Sequence, residues 1–145
     1  MIRREAYRDA GDYDPRLTNL NDLDRWVRLL EHHDLHVVPD GLTAYRWHPG
    51  NENMSAPRPD TILRGAFEFL QVLKRYKDFS SELLERIFAE DIAKHQIRTD
   101  RPKAQWLAEI ALLGKRAAHH MFALDTLHEC ARVQDDCRKL WALTG

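Results

Sequence analysis

The sequence predicts a mainly α-helical protein: a small α+β segment, made of one helix and a short β-hairpin, followed by a C-terminal helical bundle or hairpin. Two observations lead there. From Asp60 onward, apolar residues recur at helical spacing almost to the end, with breaks only near Lys77-Asp78 and Thr99-Asp100-Arg101-Pro102. Before about Pro59 the pattern is mixed and carries turn signals at Gly11, Pro15, Pro39-Asp40-Gly41 and Pro49-Gly50. The predicted division is therefore an N-terminal region over 1–59 and a helical region over 60–145.

In the first region, Leu23, Trp26, Val27 and Leu30 fall on one helical stripe. Thr18, Asn19 and Asn21 are candidate N-caps, which starts this helix close to Asp22. Leu35-His36-Val37-Val38 is short and β-prone, Pro39-Asp40-Gly41 turns the chain, and Leu42 to His48 makes a second strand. Alternation then puts Leu42, Ala44, Arg46 and His48 on one face. In the second region, Ile62, Ala66, Phe69, Leu73 and Tyr76 line one helix, capped by Asp60. Leu83, Leu84, Ile87, Phe88 and Ile92 mark another, capped by Ser80 or Ser81. A long third segment carries Trp106, Ile110, Leu113, Ala117, Met121, Leu124 and Leu127, weakened at Gly114 by about 1 kcal/mol relative to alanine. Cys137, Leu140 and Trp141 extend that face or form a last short helix.

Composition narrows the function. With 145 residues, 43% of them hydrophobic and 31% charged, the chain is long enough to bury a core and too apolar to be a disordered tail. Its formal charge of -1 argues against a general nucleic-acid or anionic-membrane binder, which needs a basic excess. No apolar run approaches the roughly 18 residues of a membrane span, and Met1 to Glu5 lacks the apolar core of a signal peptide. Two cysteines, Cys130 and Cys137, are too few for a disulfide scaffold, so a reduced, cytoplasmic chain is the expectation.

The densest candidate for chemistry is Asn21-Asp22-Leu23-Asp24-Arg25-Trp26-Val27-Arg28. Two carboxylates occupy a helix's first turn, where the positive end of the dipole favours their ionised forms. Such a carboxylate at a cleft rim can take a proton from a hydroxyl nucleophile. Acidic first turns are also common in helices that catalyse nothing, and Asp24 can simply pair with Arg28 one turn on. Zinc is the reading that His32-His33, His119-His120 and His128 with Cys130 and Cys137 invite. The seven-residue cysteine spacing matches no standard zinc pattern, and two small apolar residues packed on one helix face account for it.

The stretch Arg3-Arg4-Glu5-Ala6-Tyr7-Arg8-Asp9-Ala10-Gly11-Asp12-Tyr13-Asp14 resembles the "RREAfeevGgyD" segment of family-2 glycosyltransferases, inverting enzymes with a GT-A fold. Asn21 to Arg28 is similar to their "EDxDlwlR" motif, with Asn21 standing where the family has glutamate. Leu35-His36-Val37-Val38-Pro39, then Ala44 to Gly50, resemble the "i.vvpepL..yRrHpgn" segment, and Asn51 to Ala56 its "N.S" tail. Four motifs in register over residues 1 to 60 make the likeness more specific than any one of them. It implies that Asp22 is the general base that deprotonates the acceptor hydroxyl. It places Asp24, Arg28, Arg46 and His48 as substrate-side polar positions, with Asp24 and Arg28 inclined to structure. Arg46 either contacts phosphate or is merely solvated. His48 matches a histidine that in some relatives lies near the metal and diphosphate, and is otherwise a satisfied strand-end histidine.

In that family an N-terminal α/β half holds the nucleotide sugar through a D-x-D motif that binds a divalent Mn or Mg ion. Asp22-Leu23-Asp24 and Asp12-Tyr13-Asp14 have those letters but match the base motif and the "GgyD" turn. The resemblance therefore implies that residues 1–59 are the acceptor-side part of the catalytic domain and 60–145 its helical extension. A nucleotide-sugar donor and a hydroxyl acceptor are the implied partners of the intact enzyme, at the inner face of the membrane. The isolated chain is expected to hold no metal cofactor and to turn over little or nothing. The alternative is a non-catalytic helical interaction module. Without the nucleotide-binding half to cover them, the first sixty residues would expose apolar surface, and self-association is the expectation.

Overall fold

A computed structural model describes residues 2–44 and 58–134 of the chain. Their helices are α1 (Arg4–Asp9), α2 (Asn21–Leu30), α3 (Pro59–Lys74), a single 3-10 turn (Arg75–Lys77), α4 (Ser81–Ile87), α5 (Ala89–His95), α6 (Lys103–Leu112) and α7 (Ala117–Gln134). The chain forms two compact units, Met1–Val72 and Leu73–Gly145, with the division inside the last turn of α3.

The expected β-hairpin does not form among the described residues. Residues 35–44 carry no strand and are exposed throughout, with Val37 74% and Leu42 77% accessible. Two short β-prone segments make a marginal hairpin in water unless further strands or a helix cover one face. Leu42 instead donates its N–H to the Asp40 carbonyl at 2.9 Å, a tight local turn. The remainder of the second expected strand, 45–48, lies outside the described residues.

In the first unit α2 begins where its composition predicts, but its cap is not local. Leu20 occupies the N-cap and has no side-chain oxygen to offer. The preceding amides are satisfied from α3: Glu68 accepts the Thr18 N–H at 3.0 Å on Oε1 and the Asn19 and Leu20 N–H groups at 2.7 and 2.8 Å on Oε2. That demand also decides which side of α3 turns inward. Thr61, Glu68, Leu70 and Val72 are buried, whereas Ile62 and Ala66 of the predicted stripe are exposed. A buried carboxylate must keep its donors, and the helix phase follows it rather than the apolar count.

The second unit is apolar at its centre. Ser80 caps α4 by accepting the Leu83 N–H at 3.1 Å. The single helix expected over Leu83–Ile92 is broken at Phe88, whose φ of -105° and ψ of 19° leave the helical region. Phe88 packs with Tyr76, which also meets Phe79, at centroid distances of 5.9 and 5.2 Å. The predicted long third helix is two, α6 and α7, joined by a four-residue turn into an αα-hairpin. Trp106, Leu107, Ala108, Ile110 and Ala111 of α6 are buried, as are Ala118, Phe122, Ala123 and Thr126 of α7. Because the turn breaks the helical phase, Leu113, Met121 and Leu124 of the predicted stripe are exposed. Gly114 sits in that turn with the His119 ring against it, so a Cβ there would collide with the imidazole. Burial lowers the pKa of His119, aided by the neighbouring Arg116 charge. The Lys103 ammonium donates to the carbonyls of Lys77 and Phe79 at 2.7 and 2.9 Å, tying the start of α6 to the end of the 3-10 turn. No helix of the described residues is long and apolar enough to cross a membrane.

Candidate functional site

The motif from Asn21 to Arg28 lies on α2, and the helix sorts its polar residues into two sets. Asp24 and Arg25 are buried, 0% and 6% accessible. Asp22 is exposed in the first turn, its Oδ1 accepting the Leu23 N–H at 2.7 Å.

The inward set forms a frame with the segment after α1. Arg28 donates from Nε to Asp24 Oδ2 at 3.0 Å, and from Nη1 and Nη2 to the carbonyls of Ala10 and Asp12, the latter at 2.8 Å. One guanidinium thus reads a carboxylate and a turn at once, which its planar fork of donors suits and a lysine ammonium does not. The turn requires Gly11. Its φ of +68° disfavours a side chain, and a Cβ would press on Arg28 Nη1 at 3.3 Å.

Arg25 completes the frame. Its guanidinium carbon lies 3.5 Å from the centre of the Tyr7 ring and 4.4 Å from that of Tyr13, and Nη2 donates to the Tyr7 carbonyl at 3.2 Å. Cation–π contact of this kind holds a charge that water no longer reaches. The Tyr7 and Tyr13 side chains hydrogen-bond each other, which raises the Tyr7 pKa and lowers that of Tyr13; Arg25 favours the Tyr13 phenolate further. Asp14 closes the segment with a two-pronged pair to Arg16, at 2.9 Å to Nε and 2.7 Å to Nη2.

Sequence reasoning passed over Glu68. Burial pushes its pKa up, but the three backbone donors at Thr18, Leu20 and Asn19 outweigh burial and hold it below the ordinary carboxylate value. The signal was present in Ala66-Phe67-Glu68-Phe69-Leu70, where one carboxylate interrupts an apolar run. Such an acid is either misplaced or has donors waiting.

Of the residues singled out from the sequence, Asp22, Asp24 and Arg28 share α2, while Arg46 and His48 lie outside the described residues. Beside α2 runs a groove of about 500 Å³ that includes Arg3, Trp26, His32, His33, Asp34 and His36 in its lining. His33 Nε2 is 3.1 Å from Asp9 Oδ2, and His32 is 3.8 Å from Glu31. Among the described residues no group of three or more His, Cys, Asp or Glu side chains could hold a metal ion, so neither zinc nor Mn or Mg finds a ligand set there. Cys130 is a half-buried free thiol, and Cys137 lies outside the described residues. No family model, curated protein or solved structure matches the chain.

Proposed function

We propose that this chain is the acceptor side of a family-2 inverting glycosyltransferase, with Asp22 as the base that takes the proton from an acceptor hydroxyl. One observation carries the reading: on a single helix, an open carboxylate sits beside a set of buried charges that fix the helix in place. A general base needs that division, because its own oxygens must stay accessible while its position must not wander. The order and spacing of the four motifs support the same assignment.

In the reaction the acceptor oxygen attacks the anomeric carbon from the face opposite the nucleotide diphosphate. The carbon–diphosphate bond breaks, the electron pair leaves with the diphosphate, and the hydroxyl proton passes to the Asp22 carboxylate. Asp24 and Arg28 hold α2 against the Ala10–Asp12 turn, and Glu68 fixes the amides just ahead of Asp22. A nucleotide-binding half supplies the donor site and its divalent ion on this reading. Arg46 and His48 are substrate-side polar positions by the same resemblance, and the enzyme works at the cytoplasmic face of a membrane.

The test joins the chain in one polypeptide to a nucleotide-binding half and supplies an α-linked nucleotide sugar. A β-linked product, read by NMR of its anomeric proton, is expected; a retained α linkage, or no transfer, overturns the proposal. Alone, the 145 residues should give no heat of binding with nucleotide sugar, and micromolar affinity would contradict the assignment of the donor site elsewhere.

A second reading rests on a different observation. Ile62, Leu63, Ala66 and Phe67 share an exposed face of α3, with Leu63 75% accessible. That face favours a non-catalytic module which pairs through α3 with a second copy. Sedimentation of Phe67→Glu against the parent chain separates the two: loss of a dimer supports pairing, and a monomer in both removes it.

A further inference from the structure

Trp26 is explained neither by the core nor by the role given to Asp22. Its side chain is 38% accessible, although the indole is the largest apolar group on α2. It follows Asp22 by four residues, one helical turn, which places the two on the same open side with Cβ atoms roughly 5–6 Å apart. It also lines the groove beside α2 together with Arg3, His32, Asp34 and His36. The groove therefore joins one aromatic face to several hydrogen-bonding side chains, and opens one turn from an accessible carboxylate.

Its charge is balanced rather than basic. Asp34 opposes Arg3 in the lining, and of the histidines His33 already faces Asp9 while His32 faces Glu31. A phosphorylated ligand needs free cations, which this wall does not concentrate. A neutral sugar needs what the groove has: an aromatic plane for the C–H face of its ring, and donors and acceptors for its hydroxyls.

We propose that the groove binds the acceptor as a saccharide chain, with one ring stacked on Trp26 and its hydroxyls on Arg3, Asp34 and His36, so that the unit to be extended reaches Asp22. The proposal names the acceptor of the transfer described above and rests on that reading, but the groove binds sugar with or without turnover.

The experiment uses the 145-residue chain labelled with nitrogen-15. The Trp26 indole N–H signal is assigned by its loss in Trp26→Phe, and cellotriose, maltotriose, chitotriose and uridine monophosphate are titrated separately. At least one trisaccharide is expected to shift that signal saturably. Trp26→Ala should weaken its binding about tenfold and Trp26→Phe by less than about threefold, followed on the His32–His36 amides. Should Trp26→Ala fail to fold, as judged by circular dichroism, Arg3→Ala replaces it, and unchanged binding there counts against the groove. No response to any trisaccharide, a response to uridine monophosphate alone, or undiminished binding by Trp26→Ala overturns the proposal. Sugar binding by the parent, combined with full transfer by Asp22→Asn in the joined enzyme, would reject the base and leave the groove standing.

Discussion

The two units are held by opposite means. Among the described residues of Leu73–Gly145 the largest fully buried side chains are Trp106, Phe122 and Leu84, and charged pairs such as Lys74 with Asp125, at 3.0 Å, are partly exposed. In Met1–Val72 three ionisable groups, Asp24, Arg25 and Glu68, are buried as deeply as the apolar residues around them. Apolar burial gives stability without direction, whereas a buried charge tolerates only the geometry that keeps its partners. The first unit therefore holds α2 in one placement, and the second is held by its apolar centre.

The difference can be broken first at the apolar core. Trp106→Ala should cost about 3–5 kcal/mol, read from urea denaturation, because it removes the largest fully buried side chain and leaves a cavity. A loss below about 1 kcal/mol would mean the hairpin is not the core of its unit.

Glu68→Ala should cost roughly 3 kcal/mol, since it leaves three amides without their acceptor. Glu68→Gln keeps one acceptor oxygen and should cost less. This residue also gives the first unit a pH dependence. Its folded pKa lies below the ordinary value of 4.5, so between the two the unfolded chain binds the extra proton. Stability is full above about pH 4.5 and declines as pH falls through the folded value. Glu68→Gln should flatten that acid limb, and an unchanged limb would show that Glu68 does not carry it.

Gly114→Ala sharpens the contrast, because chain entropy and packing predict opposite signs in this turn. The reduced freedom of the unfolded chain alone gives a gain of about 0.4–1 kcal/mol. The collision with His119 gives a loss of roughly 1–3 kcal/mol, and the loss is expected in thermal denaturation. Smallest is Ser80→Ala, about 1 kcal/mol, for one capping bond at the start of α4.

These cases also mark what could be read from the chain before its structure. Ser80 and the helical second half were legible, because that cap and the helical period are local; α2 starts close to the expected Asp22, but none of Thr18, Asn19 and Asn21 caps it. The phase of α3 was not: Glu68 answers to amides 48 to 50 residues away, and no local pattern records that. The split at Phe88 and the turn at Gly114 were hidden for a related reason, since short helices that pack on one another keep a helical composition across the break. Within the candidate site, the pairing of Asp24 with Arg28 was visible as a four-residue spacing. The reach of Arg28 to Ala10 and Asp12, and of Arg25 to Tyr7 and Tyr13, was not. The hairpin over Leu35–His48 was read from β propensity, which expresses fit to a sheet more than a backbone preference.

The account turns on Asp22, and its most direct test is the turnover of Asp22→Asn in the joined enzyme, with nucleotide-sugar affinity measured alongside. Transfer should fall about 10²–10⁴-fold while donor affinity and fold are kept, the loss expected on removing a general base. Turnover within a few-fold of the parent would contradict the role given to this carboxylate, and with it the enzymatic reading of α2.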